Sequence, residues 1–271
     1  MPMRQGDLAY ITDVKNWLNS ASPTAYPTGN DTLLATLITS CSAFIQNYIS
    51  RPIAPATYNE TYNGSGGQEQ FLRNRPIIKV NALSIAGVGI LPSSPPSTGY
   101  GWMNDATSVY FIGGAFPRNI QNVVVNYDAG FQSVYNGVVP VVAGNKLNIA
   151  ALGNIWNTDR GLLINGVAAA LVASPPAAGQ YSLDAASDGT MDYEFAAADA
   201  NKTLAITYGY TPFDLAHVVV ETVGEAFKRR NRIGEASANI GNGQVISFSL
   251  KDLNATTVTL LRQYVNVVPV Q

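Results

Sequence analysis

The hydrophobic period changes twice along this 271-residue chain, and that double switch constrains its fold more than any single motif. Up to residue 49 apolar side chains recur at helical spacing. From 57 to 210 they sit in short strand-like runs broken by turn residues, and from 212 the helical spacing returns. We read this pattern as an α+β fold: a helical bundle of three main helices plus a C-terminal helix, a small β-sheet, and an inserted all-β module.

The first helix is expected over 7–19, where Leu8, Ile11, Val14, Trp17 and Leu18 share one face and Asp7 is the candidate cap. The second runs over 31–49, with Leu34, Leu37, Ile38, Cys41, Phe44, Ile45, Tyr48 and Ile49 as its buried stripe, and Pro52 stops it. Strands follow at 57–64, 69–73, 77–87, 108–114 and 122–131. Residues 132 to about 203 are poor in charge and rich in Ala, Gly, Val and Asn, and read as strands at 146–152, 161–167, 179–185 and 192–198 in a sandwich or barrel-like module. A strand at 204–210 leads into the third helix, 212–234, where Leu215, Val218, Val219, Thr222, Val223, Ala226 and Phe227 share a face. Pro212 opens that helix and Gly234 lies just past its end. A strand at 244–250 and a last amphipathic helix at 251–266 complete the chain. The runs VVVNYDAGF and LAITYGYTPF are alike, so we expect 132–208 to be an insertion in a discontinuous host domain formed by 1–131 and 209–271.

Composition narrows the function classes. Hydrophobic residues make up 46% and charged residues only 13%, against about a quarter in soluble domains, which suits a surface packed against neighbours. A net charge of −2 gives no global sign of a nucleic-acid binder. The start has no export-signal architecture, and no apolar run approaches the roughly 18 residues of a membrane helix, so no membrane partner is expected. One cysteine, Cys41, leaves no internal disulfide and no multi-cysteine metal site. One histidine, His217, leaves no two-histidine metal site, and neither a phosphate-binding loop nor a nucleophile elbow is present. We therefore expect no enzyme and no cofactor. Asp184, Asp188, Asp192, Glu194 and Asp199 crowd the module, but their spacing lacks a calcium-loop pattern, and solubilising turn and edge carboxylates are the favoured reading.

Several segments, in order, resemble the head–tail connector (adaptor) family of tailed bacteriophages. They are DVKNWLN (13–19), DTLLATLITSCSAFIQNYISRPI (31–53), FLRNRPIIKVNAL (71–83), VVVNYDAGF (123–131) and PFDLAHVVVETVGEAFKRRNRIGEAS (212–237). The segment from PAAGQY to ITYGY is similar to a small β-module found in phage structural proteins, and it departs from minimal adaptors. The resemblance implies a structural virion protein of the neck, made in the bacterial cytoplasm, that forms a ring of about twelve copies below the portal. Such a ring extends the DNA channel, lets the genome pass, and offers a platform for stopper, nozzle or tail proteins. The rival expectations are another neck or tail-completion protein, and a β-rich adhesin or carbohydrate-binding protein.

On that resemblance two features become candidate contacts with the portal or a sister subunit. Lys228, Arg229, Arg230 and Arg232 exceed what a helix C-terminus needs to offset its dipole. Dipole compensation and contact with an acidic neighbour are equally good readings, and DNA binding is a weaker third. The apolar C-terminal segment, with Leu260, Leu261, Tyr264, Val267 and Val268, is either ordinary core or an arm that enters a neighbour's groove.

Overall fold

A computed structural model describes residues 4–19, 27–94, 99–141, 145–186, 189–230, 237–239, 245–247, 253 and 255–265. Among the described residues strand outweighs helix, 40% against 27%, and this overturns the expected helical bundle with a small sheet. The reason lies in the β-branched and aromatic runs, which pair more completely than their spacing suggested. Val88–Ile90, Gly101–Asn104 and Gln132–Val138 are all strands, and all three were missing from the sequence reading. The chain forms two compact units, which are described separately.

The smaller unit spans Ser50–Ser133. Its strands are β1 (Ala56–Gly64), β2 (Glu69–Phe71), β3 (Ile77–Ile85), β4 (Val88–Ile90), β5 (Gly101–Asn104), β6 (Ser108–Ile112) and β7 (Asn119–Ala129). They form a four-stranded antiparallel sheet, β1-β7-β3-β4, and a three-stranded one, β2-β6-β5. Along β7 the alternation is strict: Val123, Val125, Tyr127 and Ala129 point inward, as a period of two requires. They meet Trp102, Val109 and Phe111 of the second sheet in one apolar core.

That core holds a polar knot. The Glu60 carboxylate accepts from Tyr127 (2.6 Å), from Tyr62 and from the Asn74 amide (3.2 Å). Each tyrosine oxygen also accepts a backbone N–H, from Arg73 to Tyr62 (3.0 Å) and from Asn74 to Tyr127 (3.1 Å). The turn that carries Arg73 and Asn74 is thereby tied to the sheet. Burial, then the neighbouring carboxylate, pushes the Tyr127 hydroxyl up to about 12, and the same causes raise Tyr62.

The larger unit joins the N-terminal segment up to Ile49 to Val134–Val265. Its helices are α1 (Ile11–Leu18), α2 (Asp31–Tyr48), α3 (Phe213–Arg229) and α4 (Ala255–Arg262). Its strands are β8 (Gln132–Val138), β9 (Lys146–Asn148), β10 (Ile155–Ile164), β11 (Val167–Ala168), β12 (Ala170–Leu171), β13 (Gln180–Ala185), β14 (Met191–Phe195), β15 (Thr203–Thr211), β16 (Ser237–Asn239) and β17 (Val245–Ser247). Two four-stranded sheets, β11-β10-β15-β8 and β12-β13-β14-β9, share one core that includes Trp156, Leu162, Tyr193, Phe195 and Ile206. A separate hairpin pairs β16 with β17.

A second knot of the same kind lies in this core. Asp159 accepts from Tyr181 (2.6 Å), Tyr193 (2.9 Å) and the Gly161 N–H (3.1 Å), and Trp156 donates to the Tyr193 oxygen (3.1 Å). The register shifts between Asp159 and Leu162, and Gly161 turns the strand there at φ +92, a value that a side chain would strain. Burial raises both tyrosine hydroxyls, with the Asp159 charge adding to it.

The N-terminal segment is tied to the same sheet. The Gly6 N–H donates to the Asn157 carbonyl (3.0 Å), and the Trp156 N–H donates to the Tyr10 hydroxyl (2.8 Å). As a result α1 begins at Ile11, not Asp7. Asp7 is buried, and its carboxylate accepts the Arg4 N–H (2.9 Å) and caps no helix. The helices α1, α2 and α3 pack on one another, and Lys15 of α1 pairs with Asp31 of α2 at 2.7 Å. Among the described residues, no helix is long and apolar enough to cross a membrane.

Candidate assembly interface

Helix α3 is the spine of the candidate site because it touches α1, α2 and α4. Its apolar residues recur at three and four, so Leu215, Val218, Val219, Val223 and Phe227 are buried, while its charges are left at the rim. The C-terminal end carries the basic cluster. Lys228 is exposed. Arg229 lies 3.8 Å from Glu225, one turn back. The Arg230 guanidinium stacks 3.7 Å above the Phe227 ring and also donates to Asn30 (3.4 Å). Part of the cluster is therefore engaged by its own chain. Arg232 lies outside the described residues.

The other end of α3 holds the C-terminal helix. Leu261 is fully buried and Leu260 half-buried. The Tyr264 hydroxyl donates to Asp214 (2.6 Å), the Gln263 amide donates to the same carboxylate, and Thr257 donates to Glu221 (3.3 Å). Thr257 opposite Glu221 and Tyr264 opposite Asp214 mean that α4 runs antiparallel to α3. The structure thus brings Leu261 and Tyr264 to the first turns of α3, about 20 Å along the helix from Arg229 and Arg230. Among the described residues, the basic cluster and the C-terminal helix do not form one patch. Val267 and Val268 lie outside the described residues.

An apolar groove of about 540 Å³ beside the first turn of α3 escaped the sequence reading. Tyr10, Trp17, Ile155, Phe213 and His217 line it, with Asp13 at its wall. His217 is 48% exposed, meets the Trp17 ring edge-on at 5.3 Å, and has its Nε2 3.6 Å from Glu221. Burial pushes the Asp13 carboxyl above the ordinary carboxylate range. The signal for this groove was Phe213, an aromatic residue placed just after Pro212, where a helix begins and its first side chains are uncovered.

The acidic residues of the module have separate partners. Asp184 pairs with Lys146 (2.7 Å), Asp192 accepts from Asn148 (2.6 Å), Glu194 accepts from Ser182 (2.9 Å) and Ser174 (2.7 Å), and buried Asp199 pairs with Lys202 (2.6 Å). Asp188 lies outside the described residues. Among the described residues, no group of three or more His, Cys, Asp or Glu side chains is placed to hold a metal ion.

Helix α2 departs from expectation in a way that bears on assembly. Leu34, Ile38, Cys41, Ile45 and Ile49 are buried as read, but Phe44 and Tyr48 are 42% and 40% exposed, and Leu37 is half-covered. Five of the eight stripe residues are buried by the fold, and the two aromatic ones are left open.

Residues 7–141 match the family described as head completion protein. No curated protein matches the chain. Among solved structures, a chain from the neck of an empty gene transfer agent particle, computed with C6 symmetry, is 12% identical, with 97% of this chain and 92% of that one covered at a TM-score of 0.40. A chain from the virion of a native gene transfer agent particle is also 12% identical, with 98% and 94% covered at a TM-score of 0.43.

Proposed function

The chain belongs to the head completion protein family of phage head–tail connectors, and we propose that it is a structural, non-catalytic protein of the virion neck that closes into a ring beneath the portal. The observation that carries the reading is the family match over 7–141, which takes in α1, α2 and the whole smaller unit. The resemblance continues beyond the match, into the residues that build α3. The ring extends the portal channel, holds the packaged genome, and presents a platform for the proteins of the tail. Its copy number follows the portal's symmetry, which makes twelve the expected count.

Within this reading, residues 132–208 are an insertion into a host formed by 1–131 and 209–271. One fact supports it: β15 runs directly into α3 with one residue between them. Lys228, Arg229 and the exposed edge of Arg230 face the acidic rim of a neighbour, and the segment from α4 onward forms the arm that joins the portal.

The test is to mix purified protein with purified portal of the same particle and image the product by electron microscopy. A closed ring on one end of the portal is expected. Bare portals at saturating protein would overturn the reading, and association with tail tube but never with portal would move the chain elsewhere in the neck.

A further inference from the structure

The groove beside the first turn of α3 has two kinds of wall. One is aromatic: Tyr10 is buried, while Trp17 is 41% and Phe213 64% exposed. The other is the carboxylate of Asp13. It accepts the Tyr10 backbone N–H, as the third residue of a helix can when it reaches back over the first turn. Among the described residues no cation pairs with Asp13, because Lys15, the basic residue of α1, is taken by Asp31 at 2.7 Å. His217 at the rim has Glu221 3.6 Å away, so a charge on that imidazole is matched within its own helix.

The carboxylate decides what can fill the groove. An apolar occupant would strip the remaining water from Asp13 and leave its charge unpaired, and burial already lifts that carboxyl above its ordinary range. An anion would meet Asp13 and Glu221. A cation suits both walls, since it pairs with the carboxylate and lies against the negative faces of the rings. Guanidinium suits them better than ammonium, being planar, weakly hydrated and able to stack while its N–H groups donate in the plane. The chain seats guanidinium groups on rings elsewhere. Arg230 lies 3.7 Å above Phe227, and Arg73 lies 4.9 Å above Tyr62, whose hydroxyl donates to Glu60. The second case assembles the same parts, ring, carboxylate and guanidinium, within one chain.

We propose that this groove is a seat for an arginine side chain presented by a protein partner, with Asp13 pairing the guanidinium and Trp17 and Phe213 stacking on it. The volume of about 540 Å³ takes the side chain together with part of the segment that carries it. The assignment is made from the groove alone and holds whether or not the chain closes into a ring.

The test is a titration of the full chain, followed by nuclear magnetic resonance through the indole N–H signals of Trp17, Trp102 and Trp156. The probe is a blocked glycine pentapeptide with arginine at its centre. Matched peptides carry citrulline, which is neutral and of the same shape, or lysine, and putrescine serves as a free diamine. The arginine peptide should move the Trp17 signal saturably at millimolar concentration and leave that of Trp102 in place. The other three probes should each bind at least severalfold more weakly. Asp13→Asn keeps an acceptor for the Tyr10 N–H and should weaken the arginine peptide by roughly tenfold, with a melting temperature close to wild type. Phe213→Ala removes a ring that is already exposed, spares the fold, and should weaken binding severalfold. A Trp17 signal that the arginine peptide leaves unmoved would overturn the proposal. So would citrulline, lysine or putrescine binding as tightly, or unchanged affinity in either variant.

Discussion

The strand cores and the helical layer treat surplus chemistry in opposite ways. In both cores a carboxylate that burial would penalise is tied by two tyrosine hydroxyls: Glu60 by Tyr62 and Tyr127, and Asp159 by Tyr181 and Tyr193. The helical layer leaves aromatic rings open in mid-helix or at a helix start, Phe44 and Tyr48 on α2 and Phe213 on α3, while the open aliphatic residues of the strand regions, such as Val88, Ile120 and Val167, stand at strand ends. A fold whose cores close around such pairs has no structural need for exposed aromatic rings on its helices. The contrast separates the residues that build the cores from those that the fold leaves open.

The first way to sharpen that contrast is to damage a core. Trp156 is 1% exposed at the centre of the larger unit, and Trp156→Ala should destabilise that unit by about 3–5 kcal/mol. Denaturant unfolding should show the loss in the larger unit, with the Trp102 emission of the smaller unit shifting less. Next come the knots. Tyr193→Phe removes one donor from Asp159 and the acceptor of the Trp156 indole N–H, so a loss of about 1–3 kcal/mol is expected by the same measurement. Tyr127→Phe should cost a similar amount, because it too removes a donor, from Glu60, and the acceptor of a neighbouring N–H, that of Asn74.

pH probes the same knots without mutation. An unfolded tyrosine loses its proton near 10, whereas Tyr127 in the folded chain holds it to about 12. The folded state therefore binds the proton more tightly, and this contribution is complete below about pH 10 and lost as pH rises toward 12. Alkaline titration followed by tyrosinate absorbance should show a cooperative base transition in that window, and Tyr127→Phe should flatten it.

Smaller effects are expected on the helices. Tyr264→Phe removes one hydrogen bond to Asp214 while Leu261 stays buried, so α4 should loosen by about 1 kcal/mol. Hydrogen exchange within 255–262 would quicken with little change in melting temperature. Smallest of all is Phe44→Glu, within about 0.5 kcal/mol in the free chain. A large loss of monomer stability there would erase the distinction between core and open surface.

How far the sequence could be read follows the same division. Long periodic segments were legible: α2 begins and ends within a residue of its expected limits, and β7 and β15 lie where their β-branched runs fall. Short edge strands such as Val88–Ile90 were not, since three residues carry no period and owe their structure to pairing with β3. The knots were illegible because their partners are far apart, with Glu60 and Tyr127 67 positions from each other. The stripe on α2 was over-read for a different reason. Spacing reports that a residue is apolar and on a given face, and it cannot say whether the chain's own core or another molecule covers that face. Within the candidate interface the basic cluster was found, but the stacking of Arg230 on Phe227 and the docking of Tyr264 on Asp214 depend on contacts that no local pattern encodes.

The decisive measurement is on whole particles made without this polypeptide, scored by electron microscopy and DNA content for filled heads and attached tails. The account predicts heads that lose their genome and carry no functional tails, with both restored when the wild-type chain is supplied. Particles that retain DNA and acquire working tails in its absence would contradict it.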